Sequence, residues 1–298
     1  MFPGATDERE GTDAAAAADR EGDTDARGPT ADRGGANFVV VGAPLDATTT
    51  FQPGTRFGPR RIRSFAEPFD DYDHRTGRHF SELGVADRGD VRAWNDVGAY
   101  LEYLTSALRE AVWDDAVPLT LGGEHTVSLA GVRAVEPDVF VCLDAHLDLY
   151  DAYDGEPFSH AAVTRRILED VDSVTEAIIL GARTGSEAEW ERAADDDVTV
   201  VPPEDVGEWT PGDRFADREV YLSVDVDAAD PAYAPGTGTK EPFGLESREL
   251  RDVVRAVAPY AGGFDVVEVN DRDDGQAAAL AAKLVREFVF SHADGVGD

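Results

Sequence analysis

Apolar, β-branched runs recur along this chain, separated by segments whose apolar residues follow a helical period. The runs are "NFVVVGAPL" from residue 37, "AVPLTLGG" (116–123), "DVFVCLDA" (138–145), "EAIILGA" (176–182), "VTVV" (198–201), "EVYLSVDV" (219–226) and "FDVVEVN" (264–270). Between them lie "VGAYLEYLTSALREAVWDD", "HAAVTRRILEDV", "SEAEWERAAD", "ESRELRDVVRAVAPY" and "GQAAALAAKLVREFVFSHA". Strands that alternate with amphipathic helices build βαβ units. The expected class is therefore α/β, with a mostly parallel sheet and helices on both faces. In such sheets ligands bind outside the carboxyl ends of the strands.

Polar clusters stand at four of those ends: "GGEH" after "LTL", "DAHLD" after "VFVCL", "DVD" after "YLSV" and "EVN" after "FDVV". Asp144, His146 and Asp148 follow one another at spacing two, and would share a face if the backbone stays extended. Carboxylates so placed repel one another, and a cation among them reverses the sign of that energy. A D-x-D pair alone means little in a chain with 61 acidic residues, as "DTD" at 23–25 shows. Histidine is scarcer, at six residues, and His125 and His146 fall inside strand-end clusters. His125, Asp144, His146, Asp148, Asp225 and Asp227 offer too many O and N donors for one structural zinc, which takes about four ligands and favours thiolates. They suit two divalent ions sharing carboxylates, manganese above all. Two such ions can lower the pKa of a water held between them and present hydroxide to an electrophile. No GxGxxG or Walker-type loop points to a nucleotide.

The charge balance narrows the setting. The formal net charge is −34, and the only lysines are Lys240 and Lys283. Such an excess of carboxylates suits a salt-accumulating cytoplasm, where the screening length falls to about 3 Å at 1 M salt. It also excludes nucleic acid and anionic membrane as partners, since both would be repelled. Cys142 is the sole cysteine, so no intrachain disulfide forms and a reducing compartment is expected. No apolar run approaches a membrane span, and "MFPGATDERE" lacks a signal-peptide layout. Residues 1–36, with little to bury, read as a disordered acidic tail before a catalytic domain over 37–298.

The motifs together resemble the ureohydrolases, the family of arginase, agmatinase and relatives. The resemblance runs over about residues 37–292 and rests on "GAPLDATTTFQPGTRFGPRRIR" (42–63), "GGEHTVS" (122–128), "DAHLDLYD" (144–151), "FSHA" (158–161), "SVDVDAADPAYAPGTGT" (223–239) and "DVVEVN" (265–270). It implies a single three-layer α/β/α domain, assembled as a trimer or hexamer. It implies that His125, Asp144, Asp148 and Asp225 hold one manganese and His146, Asp144, Asp225 and Asp227 the other. Asp148 would also hydrogen-bond the attacking hydroxide, His160 would relay a proton to the leaving amine, and Glu268 would orient a guanidinium. Departures from the family pattern are Glu124 for a commoner Asp, "HAAV" after His160, Lys240 and Asp271. None of them removes a ligand.

The opening segment and "PAYAPGTGT" look more like agmatinase, which implies hydrolysis of agmatine to putrescine and urea. Arginase, guanidinobutyrase, formimidoylglutamase and a non-catalytic metal-binding relative are the competing readings. Between Asp148 and His160 the chain adds Asp151, Asp154 and Glu156, with hydroxyls only at Tyr150, Tyr153 and Ser159. An α-carboxylate on the substrate would be repelled there.

The charge excess generates a prediction. Lowering KCl from molar to about 0.05 M lengthens the Debye length from about 3 Å to beyond 10 Å. The melting midpoint is expected to fall, and a calorimetric midpoint that stays flat across the series would remove the salt-adaptation reading.

Overall fold

The computed structural model describes residues 4–8 and 37–295. Its strands are β1 (Thr6–Asp7), β2 (Phe38–Ala43), β3 (Tyr72–Asp73), β4 (Arg78–His79), β5 (Val85–Asp90), β6 (Val117–Gly122), β7 (Val139–Leu143), β8 (Glu176–Leu180), β9 (Val198–Val201), β10 (Val220–Asp225) and β11 (Ala261–Val267). Nine of them form one sheet in the order β1-β5-β2-β6-β11-β10-β7-β8-β9. Every pairing in it is parallel. β3 and β4 form a separate antiparallel hairpin.

The helices are α1 (Gly58–Ala66), α2 (Val97–Trp113), α3 (Ser128–Val135), α4 (Val163–Asp170), α5 (Glu187–Arg192), α6 (Pro203–Val206), α7 (Ser247–Val257) and α8 (Gln276–Gly295). Alternate residues of each strand enter different cores, because successive Cβ atoms point to opposite faces. On β7, Val139, Val141 and Leu143 join Ile62 of α1, Leu250 of α7 and Phe288 of α8. Phe140 and Cys142 join Tyr100 of α2, Leu129 of α3 and Ile167 of α4. The result is the expected three-layer α/β/α arrangement. With both faces covered, β2, β7 and β10 are buried along their whole length, as parallel strands require. No helix among the described residues is long and apolar enough to cross a membrane.

Sheet order explains the site. After β6 the chain passes over two positions to β7, and β10 and β11 later fill the gap. The carboxyl ends of β6, β11, β10 and β7 thus lie side by side, and they are the four ends that carry polar clusters.

Two features differ from the sequence reading. β5, "VADRGD", is too polar to stand out as a strand. Its fully buried Asp87 is matched by Arg63 of α1, with Nε 2.8 Å from Oδ2 and Nη2 2.9 Å from Oδ1. The second is at the N-terminus, where the expected tail begins with structure. Thr6 and Asp7 pair with Ala86 and Asp87 at the edge of the sheet. Glu8 N donates to Asp87 O at 3.2 Å, and Glu8 lies 2.9 Å from Arg88 Nε. Backbone pairing needs no apolar side chain, so composition could not reveal it. The rest of the expected tail, residues 1–3 and 9–36, lies outside the described residues.

Removing residues 1–8 takes away these exposed bonds and an exposed ion pair, together about 1 kcal/mol. For a domain of this size that is expected to lower the melting midpoint by about 2–4 °C. An unchanged midpoint by scanning calorimetry would mean that the edge pairing contributes nothing.

Candidate metal centre

The strand ends interlock before any functional side chain is placed. Gly123 N donates to Ala43 O at 2.7 Å, Glu124 N to Leu45 O at 2.8 Å, and Glu268 N to Gly123 O at 2.8 Å. A Cβ on Gly123 would lie 1.9 Å from Leu45 O, so only glycine allows this approach.

β7 ends at Leu143, and the segment that follows is not extended. Asp144 Oδ1 accepts from His146 N at 2.7 Å, which closes a turn, and Asp148 has φ of 51°. Asp144, His146 and Asp148 therefore converge by turning the chain rather than by sharing one face of a strand. A carboxylate next to main-chain N–H groups competes with the sheet ladder and ends it. Asp225 repeats the device, accepting from Asp227 N at 2.8 Å. Glu268 has φ of 60°, so two non-glycine residues in the left-handed region lie in the cleft.

Around His125 the donors crowd together. Its Nδ1 lies 3.0 Å from Asp144 Oδ2, 2.9 Å from Asp148 Oδ2 and 3.7 Å from Asp225 Oδ2. His146 Nδ1 lies 3.1 Å from Asp227 Oδ2 and 3.5 Å from Asp144 Oδ1. Asp144 is thus common to both halves. His125 is fully buried, as are all four aspartates nearly so, while His146 is a quarter exposed at its side chain. Ala145 N and Thr239 Oγ1 each donate to Asp227, which fixes its carboxylate.

The charges are out of balance. Burial, then the carboxylates of Asp227 and Asp144, push the Asp225 carboxyl well above its ordinary range. Burial and Asp144 push Asp148 to about 6. Burial works against ionised Asp144 too, but the two imidazoles beside it, His125 and His146, override it and hold that group low.

The donor set fits divalent ions by a direct test. His125 Nδ1 is buried and has no hydrogen-bond partner, although three carboxylates face it. An ion bound there would satisfy that atom and the crowded oxygens together. The ligand atoms of Asp144, His146 and Asp227 lie within 4.8 Å of one another and form a second suitable group.

His160 and Glu268 stand beside this cluster. His160 Nδ1 lies 3.2 Å from Glu268 Oε1, and its Nε2 accepts from Thr50 N at 3.1 Å. Glu268 Oε1 also accepts from His125 N at 2.9 Å. Burial disfavours the imidazolium of His160, but the hydrogen bond and charge of Glu268 favour it and raise its pKa to about 9. The Thr50 N–H works against that cation.

Several residues with a part in the site have no role assigned from sequence. Glu124, fully buried, accepts from Thr48 N and Thr48 Oγ1, both at 2.8 Å, and Thr48 Oγ1 accepts from His160 N at 3.1 Å. Burial raises the Glu124 carboxyl to about 7, partly offset by His160 and Thr48. Arg183 donates to main-chain carbonyls alone: Gly181, Asp227, Ala228, Ala229, Glu241 and Pro242, at 2.6–3.4 Å. A hydroxyl within an apolar strand run, as at Ser223, was the available signal for a further group behind His125.

One cavity opens on the cluster and another on the Thr48–Thr50 segment that bonds His160. One, about 360 Å³, is lined by His146, Asp148, Tyr150 and Glu189. The other, about 420 Å³, is lined by Thr48, Thr50, Asn95, Asp154, Glu156 and Ser159. A larger recess of about 860 Å³ lies between α2, α3 and α4, lined by Arg109, Arg133 and Asp170. It includes neither the strand-end groups nor the partners of His160, so its size carries no chemistry.

The arginase family model matches residues 36–291. The chain belongs to the arginase family. An agmatinase of Pyrococcus horikoshii is 35% identical over 268 residues, covering 86% of this chain and 92% of that protein. The N(1)-aminopropylagmatine ureohydrolase of Thermococcus kodakarensis is 36% identical, covering 84% and 88%. The crystal structure of agmatine ureohydrolase of Thermoplasma volcanium superposes with a TM-score of 0.79 at 34% identity, covering 87% and 90%. This member of the family is accordingly an agmatinase-like hydrolase of linear amidine C–N bonds.

Asp144 is the carboxylate common to both histidines, which generates the next prediction. Asp144→Asn is expected to lower Mn²⁺ affinity at least about tenfold, with fewer ions per chain by inductively coupled plasma mass spectrometry. Unchanged metal content would remove Asp144 from the ligand set.

Proposed function

We propose that this protein is a binuclear manganese amidinohydrolase that hydrolyses agmatine to putrescine and urea. His125, Asp144, Asp148 and Asp225 would hold one ion, and His146, Asp144, Asp225 and Asp227 the other. The unpartnered His125 Nδ1 among carboxylates is the observation that carries the metal part of this reading. Bound there, two divalent ions supply Lewis-acid polarisation and a water of lowered pKa.

The chain's own groups divide the remaining work. Glu268, held by His125 N and His160, offers a fixed carboxylate to a guanidinium through a charge-assisted pair. His160, between Glu268 and Thr50, would hold the proton that the leaving amine takes. Asp148 borders the cavity next to His146 and can accept a hydrogen bond from the attacking water. Water exclusion comes from the depth of the cluster, whose aspartates are all nearly buried.

Substrate choice rests on the segment between Asp148 and His160. Asp154 and Glu156 line the cavity that includes Thr48, Thr50 and Ser159. Asp151 does not contribute there as its sequence position suggests: it lies 3.4 Å from Arg166 and 3.8 Å from Arg165. Two carboxylates still oppose the α-carboxylate of arginine, whereas agmatine lacks that group and keeps only the amine. The same reading includes a cytoplasmic enzyme assembled as a trimer or hexamer, with no nucleic-acid or membrane partner.

Urea release at saturating Mn²⁺ and molar KCl tests the assignment. The kcat/KM for agmatine is expected to exceed that for arginine by at least about a hundredfold, or roughly 3 kcal/mol. Guanidinobutyrate, which keeps a carboxylate at its far end, is also expected to be poor. If arginine or guanidinobutyrate is the better substrate, the agmatine assignment falls and the hydrolase class stands.

A further inference from the structure

Asp265 lies within β11, at the centre of the sheet, and is fully buried. No step of the proposed reaction uses it. A carboxylate in such a place needs hydrogen-bond donors, and it finds two hydroxyls on the adjacent strand. Ser223 Oγ donates to Asp265 Oδ1 at 2.6 Å, and the Tyr221 hydroxyl donates to Oδ2 at 2.9 Å. Parallel register places Ser223 directly across from Asp265. Room for the Tyr221 hydroxyl comes from α3, where a Cβ on Gly131 would lie 1.9 Å from that oxygen.

Counting hydrogens carries this array to the metal ligands. A serine hydroxyl has one hydrogen to give. With it donated to Asp265, Ser223 Oγ can only accept from its other neighbours, His125 Nε2 at 3.1 Å and Ser128 Oγ at 3.3 Å. The other neighbour of Nε2, Cys142 Sγ at 3.7 Å, gives its own hydrogen to Asp144 Oδ2, so His125 carries its hydrogen on Nε2. Its Nδ1 is left as a bare lone pair, and Nδ1 is the buried, unpartnered atom facing Asp144, Asp148 and Asp225.

We infer that Asp265 is a positioning residue for the metal centre: through Ser223 it selects the imidazole tautomer in which His125 offers Nδ1 to a divalent ion. The inference rests on the metal reading of the cluster and extends it beyond the ligands' immediate partners. Without the Asp265 acceptor, the Ser223 hydroxyl is free to donate to Nε2. That favours the opposite tautomer, with a hydrogen on the atom that should bind the ion.

The test is Mn²⁺ affinity by chelator competition in the absence of substrate. Failure of the agmatine assignment then leaves the measurement intact, whereas a wild-type protein that binds no Mn²⁺ overturns both readings. Asp265→Leu and Ser223→Ala are each expected to weaken Mn²⁺ binding at least about tenfold. The double variant is expected to bind no more weakly than Ser223→Ala, because both act through one hydrogen bond. Asp265→Asn, which can still turn an oxygen to Ser223, is expected to stay within about threefold of wild type. A merely structural role would not give this pattern of rescue and non-additivity. Wild-type affinity in folded Asp265→Leu, or losses that add in the double variant, would overturn the inference. Should the leucine variant not fold by circular dichroism, Ser223→Ala decides alone, and full affinity there overturns it.

Discussion

Mutual repulsion among buried carboxylates is the constraint on which the rest of this structure depends. Asp144, Asp148, Asp225 and Asp227 are all nearly buried in one cleft with two imidazoles. Groups taken out of water in this way keep their charge only when paired. Two histidines are too few to balance four carboxylates, and the raised pKa values of Asp225 and Asp148 express the deficit. Divalent ions are the compact remedy. The fold must hold the ligands apart in their absence and still present them together.

It does so by rigidity at the carboxyl ends of the four central strands. Those strands are fixed by parallel ladders on both sides, so their ends cannot shift independently. Asp144 and Asp225 then turn the chain with their own carboxylates, while Gly123 lets the β2 and β6 ends touch. The left-handed φ angles at Asp148 and Glu268 store strain that the surrounding hydrogen bonds sustain. Behind this frame the Glu124 carboxylate ties Thr48, and through it His160, to the turn that bears His125. The proton-relay candidate and the candidate metal-ligand turn share one anchor.

Most of the sheet was legible in sequence because its strands are buried on both faces and so read as unbroken apolar runs. β5 was not, since Asp87 and Arg63 cancel each other only in three dimensions. The short edge pairing at Thr6 was also hidden, because it uses main-chain groups alone. At the site, strand-end position marked the polar clusters, and histidine scarcity separated them from the acidic background. Their geometry was misread in one respect: spacing two suggested an extended face, whereas side-chain-to-backbone bonds curl the segment after Leu143. Supporting groups such as Thr48, Arg183 and Asp265 carry no sequence signature of their role. Their partners lie tens of residues away, and only the folded register brings them together.

Arg183 has a consequence for how such an enzyme can change. Its guanidinium fastens the carbonyls of Asp227, Ala228 and Ala229 to those of Glu241 and Pro242. The turn that bears Asp227, a proposed metal ligand, and the surface loop beyond Lys240 are thus welded into one mechanical body. Remodelling that loop for a new substrate would pull on Asp227 as well. Divergence of specificity at this rim is therefore entangled with ion retention, and the side of the cleft formed by residues 149–159, free of that weld, is the freer ground for innovation.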